Sequence, residues 1–161
     1  MRFNESAVRK MGRTAAGVRG IRMDDDQKVI ALIVIDEGEL LTATENGYGK
    51  RTKMSEYPSK GRGGRGVIDI QVSERNGMVI GASLVNENDE IMLISKSGTL
   101  VRTAVDQISV VGRNTQGVRL IRLDDGEQLV EMEPVLTLEG GSDDEPLDDE
   151  SADNEASDSE E

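Results

Sequence analysis

The chain has 161 residues, of which 35% are hydrophobic, 2% aromatic and 32% charged, with no Cys, no His and a formal net charge of −13. That hydrophobic share is low for a chain folded throughout, and the missing Cys and His exclude disulfides, thiolate nucleophiles, imidazole bases and the usual zinc ligands. No signal peptide and no apolar run of 18 residues is found, so a cytoplasmic protein without a membrane partner is expected.

In chain order, Arg2 precedes by ten residues the first of three matching heptapeptides, Gly12-Arg13-Thr14-Ala15-Ala16-Gly17-Val18. Residues 18–23 alternate apolar and polar side chains and predict a half-buried strand, and the apolar run starting at Val29 predicts a more deeply buried one over 29–35. A hairpin follows over 39–52, turning at Asn46-Gly47. The heptapeptide then returns as Gly61-Arg62-Gly63-Gly64-Arg65-Gly66-Val67, ten residues after Arg51, with strands predicted over 67–72 and 78–85 and a turn at Asn76-Gly77 between them. A second hairpin over 90–103, turning at Ser97-Gly98, matches the first in length. The third heptapeptide, Gly112-Arg113-Asn114-Thr115-Gln116-Gly117-Val118, stands ten residues after Arg102 and predicts strands over 118–123 and 129–138 around an Asp125-Gly126 turn.

Four features kept in register at a period of about fifty residues identify a repeat architecture, and about four short antiparallel strands per unit is the pattern of a propeller blade. The expected fold is all-β, a partial propeller or pinwheel of about three blades over residues 1–138. The register opens in the middle of a unit and stops one hairpin short, so the chain is expected to be a fragment or to need a partner for its open end faces. Residues 139–161 carry 12 acids and no base, which leaves 20 acids against 19 bases in residues 1–138. The body is thus nearly neutral, and the acidic tail is expected to be disordered.

The basic residues are the candidate functional groups. Between residues 50 and 65 stand Lys50, Arg51, Lys53, Lys60, Arg62 and Arg65 against the single acid Glu56, among glycines that let a phosphate approach backbone N–H groups. Arg13, Arg62 and Arg113 share one repeat position, and Arg2, Arg51 and Arg102 another, so each set is expected to lie on an arc that a bent duplex can follow. Arg9 and Lys10 extend the first set. The competing reading gives these arginines to the Asp and Glu of neighbouring blades as structural partners. No recognition helix and no aromatic platform is present, so contact with duplex DNA is expected to be independent of sequence. Gly61–Gly66 lacks the Lys-Ser/Thr of a nucleotide loop, and Asp24-Asp25-Asp26 aligns with Ser73-Glu74-Arg75, which suits a turn better than a metal site. Catalysis within the chain is not expected, and a protein-interaction scaffold is the alternative function.

The segments 45–52 (Glu-Asn-Gly-Tyr-Gly-Lys-Arg-Thr), 55–58 (Ser-Glu-Tyr-Pro), 73–77 (Ser-Glu-Arg-Asn-Gly), 98–103 (Gly-Thr-Leu-Val-Arg-Thr) and 112–118 resemble the carboxy-terminal domain of the DNA gyrase A protein. The resemblance covers nearly all of residues 1–138. It implies the last three or so blades of a six-bladed β-pinwheel that wraps duplex DNA and supports negative supercoiling by an ATP-dependent type II topoisomerase. The equivalent domain of topoisomerase IV is the second choice within that family. By the same resemblance, the partners are the rest of the gyrase A protein and the gyrase B protein, and ATP and magnesium belong to that larger enzyme, with no cofactor in this chain. Two departures stand out: the family's basic box Gln-Arg-Arg-Gly-Gly-Lys-Gly has no full match, Lys60-Gly-Arg-Gly-Gly-Arg-Gly66 being only similar, and the domain with the catalytic Tyr is absent. Neither Tyr48 nor Tyr57 inherits that role. The acidic tail is expected to compete with DNA for the basic rim.

Overall fold

A computed structural model describes residues 1–135. Its strands are β1 (Glu39–Thr44), β2 (Tyr48–Lys53), β3 (Val79–Val85), β4 (Glu90–Ser95), β5 (Leu100–Ala104), β6 (Val118–Arg119) and β7 (Leu129–Val135), with 3-10 turns at Glu5–Ala7, Met54–Glu56 and Val105–Gln107. They form two antiparallel sheets, one in the order β3-β1-β2-β6 and the other β5-β4-β7.

Each sheet grows from one of the hairpins legible in the sequence. Gly47 and Gly98 take φ of 75° and 90° at the two turns, conformations that an L side chain rarely adopts. Leu41 then pairs with Arg51 across β1 and β2, and Ile91 with Thr103 across β4 and β5. In β4 the alternation of the sequence becomes alternation of burial, with Ile91, Leu93 and Ser95 facing inward. The returning strands β3 and β7 close the other edges, placing Ser83 opposite Leu41 and Pro134 opposite Ile91.

Leu41, Ala43, Val85, Ile91, Leu93, Val105, Ile108, Leu129 and Met132 make one core shared by the two sheets, flanked by half-buried Leu120, Ile121 and Leu123. Side chains of this size each contribute about 1.5–3 kcal/mol on burial, so aliphatic residues suffice where aromatics are scarce.

The sheets also account for the expected strands that do not form. Segments 18–23 and 29–35 carry no strand, 67–72 reduces to a single bridge between Ile70 and Thr115, and 118–123 to the two residues of β6. β3 and β7 each pair with a hairpin that begins about forty residues earlier. Residues 29–35 pair with no strand among the described residues. Leu32 and Val34 are accordingly 93% and 89% exposed. Of the strand expected over 129–138, β7 ends at Val135, and 136–138 lie outside the described residues, as does the tail at 139–161.

The second glycine of each heptapeptide has a common reason: Gly17, Gly66 and Gly117 adopt φ of 83°, 80° and 77°. At Gly117 a Cβ would stand 2.6 Å from the Gly49 carbonyl oxygen, so left-handed backbone and close approach coincide. Gly117→Ala is expected to lower stability by roughly 2 kcal/mol, read as a shift in urea midpoint. A midpoint within error of the parent protein would show that the motif glycines are not a backbone requirement.

Candidate nucleic-acid interface

The three motif loops lie at 8–17, 57–66 and 108–117, and together they carry seven bases and no acid. Each follows a 3-10 turn, and in the later two units that turn ends a strand: β2 runs into Met54–Glu56, and β5 into Val105–Gln107.

The repeated arginines hold these loops, the middle one from both sides. Arg62 donates from Nε to the Ala7 carbonyl at 3.1 Å and from Nη1 to the Arg19 carbonyl at 2.7 Å, so it grips both ends of the loop 8–17. One repeat later Arg113 donates in the same way to the carbonyls of Glu56 and Ile68, which bracket the loop 57–66. The other set reaches forward. Arg2 donates to the Met54 and Tyr57 carbonyls at 2.8 and 3.1 Å, and Arg51 donates from Nε to the Ile108 carbonyl at 2.7 Å. Arg51 also pairs with Glu39 at 3.3 Å. Arg102, the last of its set, pairs with Glu90, which is the repeat equivalent of Glu39, and stays exposed. A planar guanidinium with five donors suits this double acceptance by carbonyls.

Two of the candidate DNA-binding residues are therefore corrected. Lys50 is fully buried, and its Nζ donates to the carbonyls of Asp69, Gly112 and Arg113 at 2.6, 2.9 and 2.6 Å. Arg51 is 6% exposed and committed to Glu39 and Ile108. Neither presents its charge to a ligand. Arg62 and Arg113 are half-buried and serve first as clamps between consecutive units, and the expected acid partners turn out to be mainly backbone carbonyls.

What remains at the surface is Arg9, Lys10, Arg13, Lys53 and Lys60, all exposed and unpaired with any carboxylate among the described residues. Arg65 is exposed and bonded to Asp24 at 3.3 Å. Asp24 also closes the turn to Gln27, as its sequence position suggests. The segment after Gly66 leads into no helix, so the phosphate-loop geometry is not formed.

Beneath the loop 57–66 lies a polar node. Asp69 accepts from Thr42 Oγ1 at 2.7 Å and from the Tyr57 hydroxyl. Burial, reinforced by the Asp69 carboxylate, pushes the Tyr57 phenol well above its ordinary range. Burial likewise pushes the Lys50 ammonium below the ordinary lysine range, against the opposing pull of Asp69. Tyr48 moves the other way: Arg119, which donates to its hydroxyl at 3.0 Å, and Arg75 both lower its phenol below the usual value. Arg75 and Arg119 are exposed bases that the repeat spacing does not single out.

The description "DNA gyrase C-terminal domain, beta-propeller" fits residues 1–36, 38–86 and 89–135, three consecutive repeats. The DNA gyrase A subunit of Salmonella typhimurium is 56% identical over 149 residues, which is 92% of this chain and 17% of that protein. The chain thus spans less than a fifth of the relative it matches. The structure of a DNA gyrase A C-terminal domain superimposes with a TM-score of 0.76 at 32% identity, over 83% of this chain and 46% of the other. The C-terminal domain of a DNA topoisomerase IV shares the fold, with a TM-score of 0.74 at 24% identity over 83% of this chain and 42% of that one.

Arg113→Ala is expected to cost about 1–2 kcal/mol, and Arg113→Lys to recover less than half of it, because one ammonium does not span both carbonyls. Thermal unfolding of the three proteins checks this, and full recovery by Lys would remove the clamp reading. The two tyrosines are expected to ionise separately, Tyr48 below pH 10 and Tyr57 above it. Because the folded-state value of Tyr57 is raised, its contribution to stability is complete below pH 10 and is lost as pH rises toward that value. Tyr57→Phe should therefore flatten the alkaline loss of stability; an unchanged profile would contradict the node.

Proposed function

The chain belongs to the DNA gyrase C-terminal domain family, and on that premise we propose that it binds duplex DNA through backbone phosphates, without reading sequence. The observation that carries this reading is the acid-free character of the three motif loops, set at equivalent points of the repeat by arginine clamps. Arg9, Lys10, Arg13, Lys53 and Lys60 are the direct contacts, with Arg62, Arg65, Arg102 and Arg113 adding charge close by. Exposed cations beside glycine-rich backbone bind phosphate by charge and close approach, and nothing in the loops is shaped to read base edges.

The repeat then bends the duplex along successive blades. In a whole gyrase A protein, paired with the gyrase B protein and driven by ATP, such bending would supply the wrapped segment that negative supercoiling requires. The chain itself performs no chemical step. Gyrase is preferred to topoisomerase IV because the superimposed gyrase A domain is 32% identical and the topoisomerase IV domain 24%, and the Salmonella gyrase A subunit matches 92% of this chain at 56% identity.

With about six phosphates contacted, log K is expected to fall with log salt at a slope of roughly −5. Replacing Arg9, Lys10 and Lys60 together by Ala should make that slope shallower by about 3 and weaken binding equally on unrelated duplexes, measured by fluorescence anisotropy. Loss confined to one sequence would contradict backbone reading, and a flat salt response would favour a protein-interaction scaffold instead.

A further inference from the structure

Tyr48 opens β2 next to the joint between the second and third units, and two guanidinium groups lie over its ring. The Arg75 Cζ is 4.7 Å and the Arg119 Cζ 5.5 Å from the ring centroid. Arg119 reaches this place because β6 pairs Arg119 directly with Tyr48. Arg75 comes from the turn before β3, where its Nη1 donates to Gln116 Oε1 at 3.4 Å.

Beside them opens a cavity of about 320 Å³ that Arg122 also lines, along with Asp124, Asp125 and Glu127. Among the described residues, none of these carboxylates forms an ion pair with Arg75, Arg119 or Arg122. Glu127 is turned toward the β4–β5 hairpin, accepting from the Ser97 backbone N–H at 2.8 Å. Two like charges are thus gathered on one phenol without an opposing carboxylate in contact. Attraction to the ring face supplies only about 0.5–1 kcal/mol for each exposed cation, and most of their roughly ten N–H donors are left open toward the cavity and solvent.

We propose that Arg75 and Arg119, stacked on Tyr48, form a second phosphate subsite that seats a phosphodiester group of the bound duplex. The inference rests on the DNA-binding reading above and adds to it a contact outside the motif loops. A phosphodiester matches the guanidinium fork in geometry and supplies the direct ionic contact that none of the lining carboxylates makes. β2 links the two places: Tyr48 begins it, and its far end runs through the Met54–Glu56 turn into the loop 57–66. The length of that strand separates them by about 17 Å, so the subsite and the loop hold different phosphates. The Tyr48 phenol, lowered first by hydrogen bonding from Arg119 and Arg75, supplies a reporter for the occupation of these guanidiniums.

The test uses the 161-residue chain labelled with 13C at tyrosine Cζ and followed by NMR through alkaline pH, with and without a saturating random-sequence duplex at low salt. Bound phosphate should move the Tyr48 titration midpoint upward, toward the ordinary phenol value, while Tyr57 stays protonated over the same range and serves as an internal control of the fold. Arg75→Ala with Arg119→Ala should weaken duplex binding about tenfold and make the salt slope shallower by about 0.9, as loss of one phosphate contact requires, and the Lys pair at the same positions should restore most of the slope. If the duplex binds yet leaves the Tyr48 midpoint and the slope of the Ala variant unchanged, the subsite is refuted and the DNA-binding reading stands. A chain that binds no duplex at all refutes both. One further arm converts the twelve carboxylates of 139–161 to amides. If that change lowers the Tyr48 midpoint in the absence of DNA, and duplex then has no effect on it, the occupant is the tail and the phosphodiester assignment falls.

Discussion

The joint between the second and third units turns on one buried ammonium. Lys50 sits in the middle of β2, out of reach of water, where an unsolvated charge costs several kcal/mol. Three carbonyls replace its hydration shell: one from Asp69 in its own unit and two, from Gly112 and Arg113, in the next. Separating the units would strand the ammonium, so the cost of burying it works against any loosening of the joint. Thr42, Tyr57 and Asp69 complete the node, and among the described residues no buried side-chain nitrogen or oxygen is left without a partner.

Around that node the arginines repeat one construction. A strand arginine reaches forward to the 3-10 turn of the next unit, and a motif arginine reaches back to the carbonyls on either side of the previous loop. The loops that carry the exposed cations are thus positioned by residues of adjacent units, and blade order and basic surface share one set of bonds. The glycines belong to the same arrangement. The left-handed backbone at Gly117 brings the third loop within contact of Gly49, one residue before Lys50, which is how the carbonyls of Gly112 and Arg113 come to surround the ammonium.

The repeat, the two hairpins and their turns were legible in the sequence because each is a local signal: a glycine at fixed spacing, a dipeptide that accepts positive φ, an alternation of apolar residues. Segments 18–23 and 29–35 carry the same signals without forming strands, since a strand also needs a neighbour and no described strand pairs with them. The site was less legible. Arg9, Lys10, Arg13 and Lys60 are where a basic loop should present them, but Lys50 and Arg51 read as part of the same charge run and lie inside. Burial of a cation depends on carbonyls some sixty residues away, which composition does not reveal. Arg75 and Arg119 escape a reading by repeat position because they stand 44 residues apart and only strand pairing brings Arg119 to Tyr48.

The choice of carbonyls as clamp partners has an electrical consequence. A guanidinium bound to a carboxylate becomes a dipole whose field dies away quickly, whereas one bound to a neutral carbonyl remains a monopole, felt over a Debye length of about 8 Å in physiological salt. Arg62 and Arg113 can therefore tie units together and still draw a polyanion toward the surface before any contact is made, raising the rate of encounter. Arg65 and Arg102, bonded to Asp24 and Glu90, have given up much of that reach. Along the chain the far field is set less by how many bases are present than by what each is bonded to.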